Sequence, residues 1–213
     1  MLEWVKNFVY GLNNYNLVPA KPEPTVPAPS QDFGFPTESS TWSGVVWHHS
    51  ATQDGKANDW EAIRRYHTSY RIDGTTVTEE EFERRKASGN GDKFEKPWKD
   101  IGYHLGIERE GGVLKVRIGR PWTMSGAHAG LKTTNTFNEK YLGACVVGCF
   151  DQFGPDAEQW GLCLGITREL IKRFGFPKTE VLGHREVYDR AYVVRAKTCP
   201  GTSWDIDKFR SEL

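Results

Sequence analysis

The chain has 213 residues, enough for one sizeable domain with residues to spare, and 38% are apolar, as in ordinary soluble globular proteins. Its 28 basic side chains balance 28 acidic ones, so the total charge gives no electrostatic footprint for nucleic acid or an anionic membrane. No apolar stretch approaches the roughly 20 residues that span a bilayer, and four scattered cysteines without a CxxC pair argue against a disulfide framework.

In chain order, Trp4, Val5, Phe8, Val9 and Leu12 fall near helical spacing and predict a short amphipathic helix, docked on the body or tethering it to a partner or surface. This N-terminus has no continuous apolar core, and Glu3 sits where a secretory leader carries basic residues. Synthesis in a cytoplasm without a signal peptide is expected. Residues 19–31, PAKPEPTVPAPSQ, have the composition of an extended, solvated linker. The expected organisation is residues 1–40 as helix and linker, and 41–213 as the domain proper.

Val45–His48 reads as a buried strand. Asn58–Tyr70 reads as a helix with Asn58 and Glu61 as its capping pair, and Thr78–Lys86 as another, opened by Thr78 and Glu81. Its acidic first turn and basic last turn suit the helix dipole. Gly102–Glu108 and Leu114–Ile118 flank Glu110-Gly111-Gly112 and predict a hairpin. Ala144–Phe150 is nearly all apolar, as a strand buried on both faces should be. Asp156–Phe174 is the strongest helix, with Trp160, Cys163, Leu164, Thr167, Leu170, Ile171 and Phe174 on one face and Gly175 and Pro177 to stop it. A strand at Glu180–Leu182 follows. These alternating signals predict an α/β single domain, a central mixed sheet flanked by helices.

Chemistry-bearing residues gather at predicted strand ends and in the loops after them: His48 in WHHSAT, Tyr103 in DIGYHLGI, His128 in GAHAG, His184 in GHRE, and Lys197 and Cys199 in KTCPG. Imidazoles, a thiol, a phenol and an ammonium are the inventory of a catalytic zinc site, where three protein ligands leave a fourth position for water. Spacing alone does not select the ligands, which are scattered along much of the chain.

The ordered blocks WHHSAT, DIGYHLGIEREG, GAHAG, GACVVG and GHRE…KTCPG resemble the zinc-dependent N-acetylmuramoyl-L-alanine amidases of type 2, the family of phage endolysins and animal peptidoglycan-recognition proteins. The resemblance covers about residues 42–205 and implies that family's fold. It implies a Zn2+ ion on His48, His184 and Cys199, with Tyr103 and Lys197 as catalytic groups and His128 lining the substrate groove. Trp98, in the lengthened loop Arg71–Lys99, is a candidate contact on the groove wall. His49, its side chain alternating with that of His48, should point away into packing or a hydrogen bond. His104 should face away from Tyr103, and His67 should be structural or support the site from behind. Cys145, Cys149 and Cys163 read as small core residues.

The implied activity is hydrolysis of the amide between N-acetylmuramic acid and L-alanine, by a monomeric phage or prophage endolysin that meets bacterial peptidoglycan after release from the cell. Three alternatives stay open on sequence: a cytoplasmic muropeptide-recycling amidase, a non-catalytic peptidoglycan-binding module, and an interaction protein that regulates a host enzyme. The spacer REVYDRAYVVRAKT between His184 and Cys199 is longer than the family's usual one and reads as an inserted excursion.

Overall fold

A computed structural model describes residues 32–52, 59–89, 91–131, 133–195 and 197–213; the predicted N-terminal helix and the Pro-rich stretch to Gln31 lie outside them. Strand β1 (Gly44–His49) is buried along its whole length. Helix α1 (Trp60–His67) is capped by Asp59, whose side chain accepts from the Ala62 amide, so the cap is one residue later than the sequence suggests. Two short strands, β2 (Tyr70–Ile72) and β3 (Thr75–Val77), lead to α2 (Glu79–Ser88), where Thr78 accepts from the Glu81 amide as its capping pattern predicts. After β4 (Phe94–Glu95) come β5 (Leu105–Glu110) and β6 (Val113–Ile118), the predicted hairpin. Its turn residues Gly111 and Gly112 both take positive φ (58° and 84°), the conformation a tight two-residue hairpin loop demands.

The rest follows as α3 (Thr136–Lys140), β7 (Tyr141–Val146), α4 (Ala157–Phe174), β8 (Val181–Gly183), α5 (His184–Arg190) and α6 (Ile206–Ser211). β7 begins three residues before the strand predicted at Ala144–Phe150 and ends at Val146. Helix α4 has a full capping box, Asp156 with Gln159, and ends on left-handed Gly175.

The main sheet has the order β6-β5-β7-β1-β8. β1 runs parallel to β7 and β8, β5 runs parallel to β7, and β6 is antiparallel at one edge. A second, three-stranded sheet, β3-β2-β4, accounts for much of the lengthened loop. Alternation along β1 divides the main sheet's faces. Val45 and Trp47 enter a large apolar cluster with Cys163, Ile166 and Leu170 of α4 and Phe209 of α6. Val46 belongs to a smaller cluster on the opposite side with Tyr141, Leu182 and Val187. The segment ahead of β1 also packs: Phe35 lies against Trp122 with ring centroids 5.0 Å apart, and Arg173 donates to the Thr37 carbonyl at 3.0 Å.

Candidate metal centre

His48 is the fifth residue of β1 and projects from the face that carries Val46. On the neighbouring parallel strand, β8 ends at Gly183 and His184 opens α5. The carboxyl ends of adjacent parallel strands are where open α/β sheets place their ligands, because loops diverge there. Cys199 comes from the loop before α6 and is held against the start of α5: the Arg185 amide donates to the Cys199 carbonyl at 2.7 Å. The Arg185 guanidinium then grips the next turn through the carbonyls of Gly201 (2.6 Å) and Trp204 (2.7 Å).

The long spacer is thereby accommodated. It forms α5 and a loop closed by the Arg195–Asp189 ion pair (Nε to Oδ1, 2.8 Å), while its two ends meet beside His48.

Donor atoms of His48, His184 and Cys199 lie within 4.8 Å of one another, and all three residues are buried. His48 Nδ1 is 3.6 Å from Cys199 Sγ. A tetrahedral zinc ion, with Zn–N of about 2.0 Å and Zn–S of about 2.3 Å, sets those two atoms about 3.5 Å apart. His184 donates through Nε2 to the Ala129 carbonyl at 2.9 Å, which leaves its Nδ1 for the cluster. Two imidazoles and a thiol in this arrangement fit a tetrahedral zinc ion, and with three donors one position remains open.

Burial governs the protonation of these groups. It lowers the pKa of His48 well below the ordinary histidine value, helped by the neighbouring His184 and His128, and lowers that of His184 to about 4. Burial pushes the Cys199 thiol up to about 12, partly offset by the Lys197 and Arg185 charges. Neutral imidazoles are ready ligands, whereas the thiol must release its proton to solvent before its sulfur can bind a cation.

Around this cluster, the Tyr103 ring stands 5.1 Å from His48, half-buried, in the loop just before β5. Its phenol pKa is raised well above the ordinary value, by burial first and then by the neighbouring Cys145 and Cys199 thiols, and its ring packs against the cluster that holds Cys145. Lys197 is exposed, yet close enough for its charge to lower the pKa of His48, His184 and Cys199. Trp98 is half-buried and stacked on His67 (4.4 Å, 25°), which in turn lies 5.7 Å from Tyr103. His128 is only 7% exposed, and its Nδ1 is 3.0 Å from His48 Nε2. His104 is fully buried, accepting from the Gly143 amide and donating to the Met124 carbonyl.

The readings of the other cysteines divide. Cys145 and Cys163 are buried, but Cys149 is exposed, because the strand expected to carry it stops at Val146 and the chain turns outward. Cys149 belongs to a second group of potential donors with His49 and Asp151. His49 Nδ1 already accepts from the Phe150 amide at 3.1 Å, so its other nitrogen carries the proton and the neutral ring has no lone pair left for a cation.

Sequence reasoning left out three contributors. The Ala129 carbonyl, the Arg185 anchor and the packing of Tyr103 against Cys145 are backbone or packing relations that no motif spells out. The closest signal was the GAHAG block itself.

A family model described as N-acetylmuramoyl-L-alanine amidase matches residues 38–202. The chain belongs to that family. It is 31% identical over 120 residues to the endolysin of Enterobacteria phage K11, a match covering 54% of this chain and 67% of that protein. It is likewise 31% identical over 114 residues to peptidoglycan-recognition protein LB of Drosophila melanogaster, covering 51% of this chain and 41% of the fly protein. Among solved structures, the amidase LysC from Clostridium intestinale URNW shares the fold at a TM-score of 0.51 and 19% identity, over 81% of this chain and 85% of that one. The type-2 amidase resemblance is therefore correct, and this amidase is an amide hydrolase of peptidoglycan with a mixed α/β fold.

Proposed function

We propose that this amidase cuts intact cell-wall peptidoglycan as a phage-type lysin, through a zinc ion held by His48, His184 and Cys199. The observation that carries the reading is the 3.6 Å separation of His48 Nδ1 from Cys199 Sγ, with His184 completing a buried three-donor set. When bound there, zinc supplies a Lewis acid and lowers the pKa of water to about 7.

The chain's own groups do the rest. The high pKa of the Tyr103 phenol keeps it protonated at neutral pH, so it acts as a hydrogen-bond donor toward oxygen charge developing beside His48. Lys197, cationic and open to solvent, stabilises the same charge from the outer side. The Trp98–His67 stack stands on the Tyr103 side of the site and forms one wall for the muramyl peptide. Among the described residues no helix is long and apolar enough to cross a membrane. A single chain supplies every group invoked, and it acts as a monomer.

The test joins metal analysis of the purified protein to mass spectrometry of its digests. One zinc per chain and release of intact stem peptides with free L-alanine amino groups from whole sacculi are expected. Products from soluble muropeptides but none from sacculi would move the assignment to a recycling amidase. Binding without release would make it a recognition module.

A further inference from the structure

The family assigns metal ligands but does not say what keeps each imidazole's lone pair aimed at the ion. In this chain the answer is legible in one buried hydrogen-bond chain. The Tyr141 carbonyl lies 3.1 Å from His128 Nε2, and His128 Nδ1 lies 3.0 Å from His48 Nε2. A carbonyl oxygen only accepts, so His128 carries a proton on Nε2. The neutral ring then holds a lone pair on Nδ1, which can only accept. The partner nitrogen of His48 must therefore donate, and the lone pair of His48 is left on Nδ1, the atom 3.6 Å from Cys199 Sγ. The two ring planes are 82° apart with centroids at 5.0 Å, a separation that accommodates an in-line bond from the N–H of one ring to the in-plane lone pair of the other.

We propose that His128 is a positioning residue: it locks the proton of His48 on Nε2 and so holds Nδ1 ready for the metal. The inference rests on the zinc reading above and assigns His128 a place behind the ligand rather than on the groove wall. Three further observations support it. His128 is buried, so little of it could touch a muramyl peptide. Its ring occupies space that two glycines vacate: a Cβ at Gly126 or at Gly143 would lie 2.5 Å from it. The turn that carries it is pinned, since the amides of His128 and Ala129 both donate to Asn138 Oδ1, at 2.8 and 2.9 Å. The same turn serves the second imidazole, because the Ala129 carbonyl fixes the proton of His184 on Nε2 at 2.9 Å. A single GAHAG turn thus sets both imidazole ligands, one through a side chain and one through the backbone.

The experiment measures zinc affinity by competition with a chromophoric chelator in wild type, His128→Leu and His128→Asn. Leucine fills a similar volume without an acceptor, whereas asparagine keeps an oxygen near the position of Nδ1. Zinc affinity should fall 10- to 100-fold in His128→Leu, the usual scale for losing such an outer partner, and His128→Asn should recover most of the loss. Long-range 1H–15N correlation spectra of the metal-free wild type should find the His48 proton on Nε2, which decides the matter even if His128→Leu fails to fold. Unchanged zinc affinity in His128→Leu with a raised KM, an asparagine variant no better than leucine, or a His48 proton on Nδ1 would each overturn the proposal. A wild type that fails to bind zinc would instead overturn the metal reading, so the two failures are separable.

Discussion

Two buried thiols on opposite faces of the main sheet show how differently the faces are built. Cys163 lies on the buried side of α4 among Trp47, Ile166 and Leu170, where burial pushes its pKa well up and apolar contacts surround it. Cys199 is almost as buried and its thiol is pushed up for the same first reason, but it faces two imidazoles and the charges of Lys197 and Arg185. One face holds the molecule together by area removed from water, a term insensitive to small displacements. The other depends on lone pairs and protons, where a shift of an ångström matters. The chain keeps them apart by the simplest means available, the two-residue period of β1.

The largest expected effect breaks the polar face alone. Cys199→Ala removes the one anionic ligand and should abolish both zinc binding and hydrolysis while leaving the thermal transition of the metal-free protein nearly in place. Full zinc occupancy in that variant, measured by atomic emission, would contradict the ligand set. Next is Lys197→Ala, where the loss of one donor to transition-state charge should cost about 3–4 kcal/mol, a several-hundred-fold drop in kcat. Lys197 is exposed, so zinc content and stability should not move. An unchanged kcat would show that the ammonium has no part in the reaction.

The apolar face gives the reciprocal result. Leu170 is fully buried in the α4 cluster, and Leu170→Ala should cost about 2–5 kcal/mol of folding stability through lost contacts and residual cavity. Zinc affinity of the folded fraction should match wild type. If zinc affinity falls along with stability, the two faces are coupled and do not act independently.

The apolar face was also the easier one to read from sequence. The stripe along α4, its Asp156 cap and its Gly175 stop are local signals, and the helix runs where they place it. So does the Gly111-Gly112 hairpin. Errors arose where tertiary contacts decide. β7 pairs with β1 from Tyr141 onward, so Tyr141 to Gly143 are drawn into the sheet ahead of the apolar run. α5 begins at His184 because the Glu186 side chain reaches back to the Gly183 amide at 2.8 Å, a cap hidden inside the GHRE motif. Strands β2, β3 and β4 are only two or three residues long and carry no usable period. The site residues were reachable only through ordered family blocks, since His48 and Cys199 are 151 residues apart. No spacing rule spans such a gap, and the bonds among GAHAG, Tyr141 and His48 lie below the resolution of any motif.

The smallest effect expected is the most diagnostic of how the polar face is poised. In the metal-free protein Cys199 is a neutral thiol, its pKa held at about 12 by burial, while both imidazole ligands are neutral because their pKa values are lowered, that of His184 to about 4. Zinc binding then releases one proton, from sulfur, between about pH 5 and 6, below the range around pH 7 in which a zinc-bound water would release its own. The sign follows: affinity rises with pH, tenfold or about 1.4 kcal/mol per unit, with a slope of one. Ordinary histidines, with pKa values of about 6.5, would steepen that slope toward three on the acid side of neutrality. Here the steepening should be displaced toward pH 4. Calorimetric zinc titrations in buffers of different ionisation enthalpy count the protons directly. A count above one at pH 5.5 would mean that the imidazoles are not held neutral by burial, and that the polar face is wetter and looser than its counterpart under α4.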